Sequence, residues 1–374
     1  MGNRARLRAL LTELKTLNFE IHFAGVNMSI EEKTATIPYI DHWVWDFYTP
    51  QQPTFWSRVF DRLQNKSICG QSMGLDHVGP DSVDRWMNFE WMDQARCLQQ
   101  RGKYDVVLVE YVFHSAFLEC FGLDCLKVLD THDVFTERNK RLTAHGISEY
   151  WFSTTAEGER NGLRRADRIL AIQTNDANYF NKLLGGSKSI FTVGHITSID
   201  ILPLPASPEL NIGYLASDNP LNFISFNWFI SDVWQPFRKE FKNVNLSVAG
   251  RICERLDITS GIQMMGEFNS VRDFYLHTHL TINPMIVGTG LKIKTIESLA
   301  YGRAVICTSV ACEGLEDYVG RGIYLANSPE DFVCHIRSYL QDSSEFQRGG
   351  TEAAMALEEL NEAWRIQLRL AFEI

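Results

Sequence analysis

The chain has 374 residues, of which 45% are hydrophobic and 22% are charged, a composition typical of globular proteins. Its length exceeds what one compact core usually holds, so we expect two domains. The formal net charge of −10 argues against nucleic acid as a partner, because nucleic-acid backbones are bound mainly by lysine and arginine. A small anionic ligand stays open, since it needs only a few donors.

The cysteines and the apolar runs bear on where the protein works. Eight cysteines are scattered without a Cys-x-x-Cys pair, which predicts free thiols in the cytoplasm rather than a metal site or a disulfide framework. No apolar run is long enough to span a bilayer, and the first residues do not form a signal peptide. We expect a cytoplasmic protein without a transmembrane segment, and leave open a peripheral association with the inner face of the membrane.

The N-terminal half shows the alternation of a βαβ series. It opens with "RARLRALLTELKTL", where leucines recur every three to four residues and predict an amphipathic helix. Short apolar runs then predict strands, with helical stretches between them. These predicted strands are 19–26, 104–111, 126–132, 167–173 and 188–194.

The series breaks at "HITSIDILPLPASPELN" (195–211), where three prolines predict a linker, and then restarts. We therefore predict an N-terminal domain (1–195), a C-terminal domain (210–350) and a final helix (351–374) that packs back on the N-terminal domain. The second series predicts strands at 211–217, 244–250, 262–268, 280–285 and 303–309. Two doubly wound sheets of this kind bind ligands beyond the carboxyl ends of their strands, here in the cleft between the domains.

One loop at that predicted edge carries unusual chemistry, in "GTGLKIKTIE". Gly288 and Gly290 allow the backbone to approach a ligand closely and to adopt positive φ. A helix start with free N–H groups favours an anion, and Lys292 and Lys294 add cationic donors suited to a diphosphate. Glu297 follows about one turn later, where its carboxylate can accept the vicinal hydroxyls of a ribose. The alternative is a solvated helix start that binds nothing.

The segment "GTGLKIKTIESLAYGRAVICTSVACEGL" closely resembles the donor-binding segment of GT-B-fold glycosyltransferases of the family-4 type. "VLDTHDVFTER" resembles the strand and His-Asp loop of that family, and "RADRILAIQTNDANYF" resembles its last N-domain strand and helix. The resemblance covers most of the chain and is weak over 30–100. It implies an α/β fold of two Rossmann-like domains facing across a cleft, and a nucleotide-diphosphate sugar as donor. It also implies retention of anomeric configuration, with no metal and no further cofactor.

The same resemblance assigns roles to individual residues. In the family the glycine loop and its helix hold the nucleotide diphosphate, and the helical glutamate binds the ribose. The positions implied here are Gly288, Thr289, Gly290, Leu291, Lys292, Lys294 and Glu297. His132 is expected beside the transferred sugar, and Asp133 is expected to orient the loop. No enzyme nucleophile is assigned, because retention in this fold is generally thought not to need one.

Three departures from the family pattern stand out. The first of two glutamates in the family motif is missing, because position 289 is Thr and the alternative alignment gives Val287. The basic residues after the first donor-domain strand are also missing, and Arg251 is a candidate replacement for the phosphate-binding arginine. The chain begins as the family's turn and helix without the strand before them. We therefore expect Gly2 and Asn3 at the cleft mouth, and an N-terminal sheet whose first strand position is vacant or filled by another segment.

The predicted function is transfer of a sugar, of the hexosyltransferase type, in polysaccharide biosynthesis. The acceptor stays open between a glycan, a lipid-linked molecule and a small molecule. The alternative is a catalytically inactive GT-B-like binding or scaffold protein, which the missing strand and glutamate favour. A nicotinamide-dependent dehydrogenase is disfavoured, since no Gly-x-Gly-x-x-Gly follows a first strand. The aromatic stretch of Trp43, Trp45, Phe47, Tyr48, Phe55 and Trp56 is interpreted as core or as an acceptor- or membrane-facing surface.

Overall fold

The computed structural model describes residues 2–47, 81–87, 89–147, 151–257, 261–268 and 270–373. In most of these ranges strands alternate with helices or 3₁₀ turns, and all the paired strands of the three sheets run parallel. Helices therefore carry the crossovers between the strands, as parallel pairing requires. The prediction of an α/β chain with parallel sheets is confirmed.

The N-terminal half contains six short strands and six helices, besides two 3₁₀ turns. Its strands are β1 (His22–Val26), β2 (His42–Phe47), β3 (Val106–Glu110), β4 (Leu126–Asp130), β5 (Arg168–Ala171) and β6 (Ser189–Thr192). Its helices are α1 (Gly2–Thr16), α2 (Ile30–Thr36), α3 (Phe89–Arg101), α4 (Arg138–Thr143), α5 (Ala156–Arg164) and α6 (Thr174–Leu184). The 3₁₀ turns are Ile37–Tyr39 and Val112–Cys120. These counts refer to the described ranges only.

The N-terminal strands form two separate sheets rather than one. β1 and β2 pair with each other, and β3, β4, β5 and β6 pair in that order. No described strand joins β1 to β3. Among the described residues, the strand position between β1 and β3 is unfilled, which is one of the two outcomes expected from the sequence.

The C-terminal half contains six further strands and seven further helices among the described residues. Its strands are β7 (Leu210–Leu215), β8 (Val244–Ala249), β9 (Ile262–Gly266), β10 (Leu280–Asn283), β11 (Val305–Cys307) and β12 (Ile323–Leu325). Its helices are α7 (Pro220–Trp228), α8 (Gln235–Glu240), α9 (Val271–Leu276), α10 (Ile293–Ala300), α11 (Ser309–Cys312), α12 (Pro329–Gln341) and α13 (Ser344–Phe372). A π-helical turn (Phe229–Trp234) and the 3₁₀ turns Arg251–Glu254 and Glu316–Tyr318 complete this half.

The C-terminal sheet is continuous, with the strand order β12-β11-β10-β7-β8-β9. Successive strands extend away from β7 on one side and from β10 on the other, so the order reverses between these two central strands. Parallel sheets bind ligands beyond the carboxyl ends of their strands at such a reversal. The loops that follow β7 and β10 are therefore the expected site of a ligand, and the glycine loop is the one that follows β10.

Helix α13 returns to the N-terminal half. Trp364 packs so closely that a Cβ atom on Gly194 would lie 2.2 Å from its ring. The rings of Phe372 and Phe19 meet edge to face at 5.6 Å between centroids, and Arg365 lies 3.2 Å from Glu13 on α1. Helix α13 is the longest of the described helices, but it is too polar to cross a membrane. None of the other described helices is long and apolar enough to do so.

Some predicted elements need correction. The strand β2 was missed because its tryptophans were interpreted only as core or surface; Trp43 and Trp45 are half-buried in it, and Phe47 is buried. Tyr48, Phe55 and Trp56 lie outside the described residues. The helical stretch that begins at Pro220 is interrupted by the π-helical turn just before Pro236, which has no N–H to donate. Likewise α13 begins at Ser344 rather than after Gly350.

Candidate nucleotide-sugar site

The glycine loop has the backbone that its sequence predicts. Gly288 and Gly290 have φ values of 149° and 73°, a region that L-residues with side chains rarely adopt. A Cβ atom on Gly290 would lie 3.3 Å from the His132 carbonyl oxygen and 3.5 Å from Asp133 Oδ1. The loop after β4 in the N-terminal half therefore contacts the glycine loop of the C-terminal half. The structure brings these two sets of predicted residues together.

Lys292 stands at the start of α10 and is buried. Its Nζ donates to the Gly290 carbonyl oxygen and lies 3.5 Å from Glu313 Oε2. Burial lowers the pKa of Lys292, against the opposing effect of the Glu313 and Asp133 carboxylates. An ammonium group held among carboxylates in this way can exchange them for a phosphate without any large rearrangement.

Lys294 faces a different set of groups. Its Nζ donates to Asn222 Oδ1 at 2.7 Å and lies 4.9 Å from the centre of the Tyr214 ring. Burial, with a contribution from nearby Lys292, lowers its pKa to about 7. Asn222 lies in the first turn of α7 and donates to the carbonyl oxygen of Ser217, in the loop that follows β7. Lys294 thus connects the two loops at the strand reversal, and an anion there would favour its charged form.

Glu297 is a carboxylate without a partner among the described residues. No hydrogen bond or ion pair joins its half-buried side chain to them. Burial raises its pKa to about 7. A polar group in such surroundings is satisfied when a ligand supplies donors, and two neighbouring hydroxyls would do so.

Further polar atoms around the loop also lack partners. Thr289 Oγ1 and Asn283 Oδ1 are buried without a hydrogen bond to any described group. Val287 instead packs in an apolar cluster with Leu142 and Ile147 of the N-terminal half. Of the two positions that the resemblance aligns with the family's first glutamate, Val287 therefore contributes packing between the halves and Thr289 offers a hydroxyl, so neither offers a carboxylate.

On the N-terminal side, His132 is held by groups that the sequence did not single out. Its backbone is left-handed (φ 58°), and its ring stacks on Tyr111 with 4.1 Å between centroids. Its Nε2 bonds to the Glu110 carboxylate and lies 3.2 Å from Asp130 Oδ2. Burial opposes charge on the ring, yet the Asp130 and Glu110 carboxylates raise the pKa of His132. The two acids therefore orient the ring and favour its charged form, while its main chain faces the glycine loop.

Arg6 completes this network and was also missed. Its guanidinium donates to both oxygens of Asp130, at 2.8 and 2.6 Å, and to the Gly194 carbonyl oxygen at 2.8 Å. Both charged side chains are buried, so the bidentate pair is shielded from water. Glu110, Asp130 and His132 place ligand atoms within 4.8 Å of one another, close enough for a metal ion. Both Asp130 oxygens are already engaged by Arg6. The sequence contains one sign of this network, which is that Arg6 lies on the apolar side of an amphipathic helix.

Gln173 and Asp176 form a second missed pair, at the start of α6. Gln173 Nε2 donates to Asp176 Oδ1 at 3.0 Å, while Asp176 Oδ2 is buried with no hydrogen-bond partner in the described ranges. Burial, with the Asp133 and Glu313 carboxylates, raises the pKa of Asp176 to about 7. A Cβ atom on Gly314 would lie 2.7 Å from Gln173 Oε1, so this pair also contacts the C-terminal half.

The remaining predicted site residues are less tightly engaged. Asp133 accepts from the Val134 N–H at 2.8 Å, which fits the predicted role of orienting the loop. Arg251 is exposed at the carboxyl end of β8, with no hydrogen bond or ion pair to the described residues. Gly2 and Asn3 begin α1, one turn before Arg6 reaches Asp130 at the carboxyl edge of the N-terminal sheet. Their roles in donor binding stay predictions.

Two Rossmann-like halves with facing loops at the carboxyl ends of their strands define the GT-B class of glycosyltransferase. Residues 209–342 match the family described as "Glycosyl transferases group 1". This match covers the glycine loop, Lys292, Lys294 and Glu297. The prediction of a GT-B-fold glycosyltransferase is confirmed.

Known proteins share this fold at low sequence identity. Anabaena HepE, solved with UDP and glucose, is 13% identical, with a TM-score of 0.65 over 98% of this chain and 94% of HepE. The sucrose-phosphate synthase of Thermosynechococcus elongatus is 11% identical, with a TM-score of 0.66 over 98% and 91%. TarM of S. aureus is 12% identical, with a TM-score of 0.60 over 76% of this chain. This chain spans only 59% of TarM.

A relative by sequence comes from Klebsiella pneumoniae. It is an uncharacterized 44.6 kDa protein in a cps region, 25% identical over 320 residues, which are 77% of this chain and 79% of the relative. The match thus extends well beyond the donor domain into the N-terminal half.

Proposed function

We propose that the chain transfers a sugar from a nucleotide-diphosphate donor to an acceptor hydroxyl, with retention of anomeric configuration and without a metal ion. The observation that carries this proposal is the set of groups around the glycine loop. Lys292 is a buried cation at a helix start, and Glu297 is a carboxylate without a partner among the described residues. Together they fit the two ends of a nucleoside diphosphate.

Donor binding follows from the positions of these groups. The diphosphate would accept hydrogen bonds from Lys292 and from the N–H groups that open α10, where the helix dipole favours negative charge. The ribose hydroxyls would donate to Glu297. Uracil is the proposed base of the donor, because HepE and TarM were solved in complexes with UDP. Lys294 would add charge as the phosphate approaches, since its pKa of about 7 leaves it only partly protonated beforehand.

The transfer step breaks the bond between the anomeric carbon and the diphosphate oxygen. Lys292 and the start of α10 would stabilise the charge that develops on the departing diphosphate. The acceptor oxygen would enter from the same face and form the new glycosidic bond, and its proton would leave with the diphosphate. His132, oriented by Glu110 and Asp130, would hold a sugar hydroxyl and help to position the anomeric carbon.

Metal independence is supported by the charge already present. Lys292 supplies positive charge at the loop, and Arg6 occupies both oxygens of Asp130 within the acidic cluster. An ion bound by Glu110 and His132 would have to displace the guanidinium to gain Asp130 as a third ligand. We also propose that no cofactor is needed beyond the donor itself.

The second candidate is a binding protein without catalytic activity. Val287 favours it, because the position of the family's first glutamate is buried in an apolar cluster here. The division of the N-terminal strands into two sheets favours it as well. Such a protein would bind a nucleotide or nothing, and it would not cleave a donor.

The experiment is a panel of UDP-, GDP-, TDP- and ADP-sugars offered to the purified protein in EDTA. We expect the sugar nucleotide of one base to raise the melting temperature of the protein. We also expect that sugar nucleotide to be hydrolysed slowly in the absence of acceptor. Proton NMR of the first sugar released reports its anomeric configuration, which retention requires to match the donor. Nucleotide binding without hydrolysis of any donor would favour the second candidate, a binding protein without catalytic activity. Hydrolysis that requires added Mg²⁺ or Mn²⁺ would contradict metal independence.

A further inference from the structure

Three polar side chains meet where the two-stranded sheet begins. His22 and His42 are the first residues of β1 and β2, and they lie directly opposite each other in the parallel register. Opposed residues of neighbouring strands place their side chains on the same face, as do residues two apart along an extended chain. Glu20, two residues before His22, therefore reaches the same face. We call Glu20, His22 and His42 the amino-edge cluster.

The two histidines of this cluster direct the same ring nitrogen at the same carboxylate oxygen. His42 Nε2 lies 2.9 Å from Glu20 Oε1, and His22 Nε2 lies 3.3 Å from it. The two imidazole rings meet edge to face, with 4.6 Å between their centroids. The three ligand atoms all lie within 4.8 Å of one another. Two imidazole nitrogens and one carboxylate oxygen therefore surround a single point.

The spacing of these atoms suits a tetrahedral metal ion. Zn²⁺ binds histidine nitrogen at about 2.0–2.1 Å and carboxylate oxygen at about 2.0–2.2 Å. Ligand atoms at the corners of such a tetrahedron are separated by roughly 3.3–3.5 Å. The contact between His22 and Glu20 already has this separation. The contact between His42 and Glu20 would lengthen by about 0.5 Å to reach it, which is a small movement for two exposed side chains.

The Glu20 carboxylate is available to a metal ion. Its hydrogen-bond and ion-pair partners among the described residues are the two histidines, and no lysine or arginine pairs with it there. In the cleft, by contrast, both oxygens of Asp130 accept from Arg6. The side chains of Glu20 and His42 are 69% and 55% exposed, so water can fill the fourth position of a tetrahedral ion. Binding here displaces only the hydrogens between the ring nitrogens and the carboxylate.

The surroundings of the cluster show what a bound ion would stabilise. Tyr104, just before β3, packs edge to face against the His22 ring, with 5.5 Å between centroids, and restricts its rotation. In the described ranges β1 and β2 pair only with each other, and a two-stranded sheet is marginally stable by itself. An ion held by both strands and by Glu20, in the connection from α1 to β1, would favour the paired state, because it binds the folded chain alone.

We propose that Glu20, His22 and His42 form a zinc-binding site that fastens β1 to β2 at the amino edge of the N-terminal half. The mixed nitrogen and oxygen ligands favour Zn²⁺ over Mg²⁺ and Ca²⁺, which prefer oxygen ligands alone. His22 lies beside Tyr104, before β3 begins, whereas His132 follows the carboxyl end of the parallel strand β4. The zinc site is therefore remote from the cleft, and its ion stabilises the fold without entering the transfer step.

Zinc titration of the untagged full chain tests this site, after treatment with EDTA and removal of the chelator. Every variant carries Cys97→Ser and Cys334→Ser, because these exposed thiols could bind zinc themselves. We expect isothermal titration calorimetry to show one equivalent of Zn²⁺. The melting temperature should rise by about 2 °C or more when free zinc is about 100 times its dissociation constant. Hydrogen exchange should slow in β1 and β2, while β9, at the edge of the C-terminal sheet, stays unchanged.

Substitution of the ligands locates the ion. His42→Ala should weaken zinc binding at least about tenfold and abolish the thermal stabilisation, since two ligands remain. Glu20→Gln keeps the shape of the side chain but loses its charge, and it should weaken zinc binding as well. His145→Ala, at an exposed histidine of the same half, is the matched control and should bind zinc like the unmodified chain. Donor hydrolysis in EDTA should be the same for His42→Ala and the unmodified chain.

Three results would overturn the proposal. Equal zinc affinity of His42→Ala and His145→Ala would place the ion elsewhere in the chain. An unchanged melting temperature in excess zinc would show that the three side chains only form hydrogen bonds with one another. Zinc binding that leaves hydrogen exchange in β1 and β2 unchanged would show that the ion does not fasten these strands.

Discussion

The two halves of the molecule hold their cleft loops by different means. In the C-terminal half, β10 lies inside a continuous sheet, and the glycine loop extends from a strand paired on both sides. In the N-terminal half, β4 is also paired on both sides, within a four-stranded sheet in which β3 has no second partner strand among the described residues, and buried charges hold the loop after β4 as well. There Arg6 holds Asp130, and Asp130 with Glu110 holds His132.

This difference separates two kinds of stability. Main-chain pairing supports both loops whatever the protonation state of their side chains, whereas the loop after β4, the proposed sugar side, depends in addition on the integrity of one ionic network. Buried ion pairs gain little over an apolar alternative, yet removing one partner leaves a costly unpaired charge. We therefore expect substitutions in the N-terminal network to affect folding, and substitutions in the donor loop to affect binding.

The largest effect is expected for Arg6→Ala. Loss of the guanidinium leaves the buried Asp130 carboxylate without its bidentate partner, which should lower the free energy of unfolding by about 3–5 kcal/mol. Equilibrium denaturation with urea measures this free energy of unfolding. Arg4→Ala is the matched control in the same helix, because Arg4 forms an exposed ion pair with Glu32 and should cost at most about 1 kcal/mol. Similar losses for both variants would mean that the network does not hold the N-terminal half.

His132→Asn tests the sugar side, since Asn tolerates the left-handed backbone at this position. Turnover should fall roughly 10²–10³-fold, because the oriented ring of His132 no longer positions the sugar. Nucleoside diphosphate affinity should stay nearly unchanged. His145→Ala, at an exposed histidine of the same half, is the control and should leave turnover unaffected. Normal turnover of His132→Asn would remove His132 from the site.

Lys292→Ala tests the donor side. The loss of charge-assisted bonds to the diphosphate should weaken nucleoside diphosphate binding by about 1.5–3 kcal/mol. Isothermal titration calorimetry gives the affinity, and urea denaturation should show a folded variant. Lys239→Ala, at an exposed lysine of the same domain, is the control. Equal affinity for both variants would mean that the diphosphate binds elsewhere.

The smallest effect concerns pH. Burial raises the pKa of Glu297 to about 7, so folding takes up a proton at this site between pH 4.5 and 7. The stability contribution of protonated Glu297 is fully present below its unfolded pKa and is lost as pH rises towards 7. Glu297→Gln should therefore raise the stability of the unliganded protein at pH 8 by about 1 kcal/mol, with no gain at pH 4. Nucleotide affinity should fall at the same time.

The control for this pH dependence is Glu330→Gln, at an exposed glutamate of α12. Thermal unfolding across pH 4–8 measures both variants against the unmodified chain. If Glu297→Gln loses nucleotide affinity without gaining stability at pH 8, Glu297 binds the ligand but is not destabilised by its burial. If it keeps full affinity, the ribose assignment is wrong.

The donor side was largely predictable from sequence because its determinants are local. Glycines that need positive φ, charges at a helix start and the strand order all lie within one segment, Gly288 to Glu297. The sugar side was only partly predictable. Arg6 and Asp130 are 124 residues apart, and their pairing depends on how α1 packs across the sheet. Gln173 and Asp176 likewise belong to no recognisable sequence motif, and their place in the site becomes evident only from the packing of the two halves.

The missed strand β2 and the divided sheet have related explanations. Trp43 and Trp45 carry the strand signal, but aromatic residues serve strands, cores and surfaces alike, so propensity did not decide between them. The vacancy was predicted from the resemblance, whereas its apolar lining requires tertiary contacts between α1, β1 and β3. Local patterns give elements, and long-range packing gives the division of the N-terminal strands into two sheets and the ionic network.

The most direct test of the account is hydrogen exchange with and without UDP. If one nucleotide-sugar site joins the two halves, UDP should protect the segment 285–300 around the glycine loop and, more weakly, the segment 130–137 across the cleft. Uridine, which lacks the diphosphate, should give little protection of either segment. Protection confined to other parts of the chain, or no difference between UDP and uridine at saturating concentrations, would contradict the proposed site.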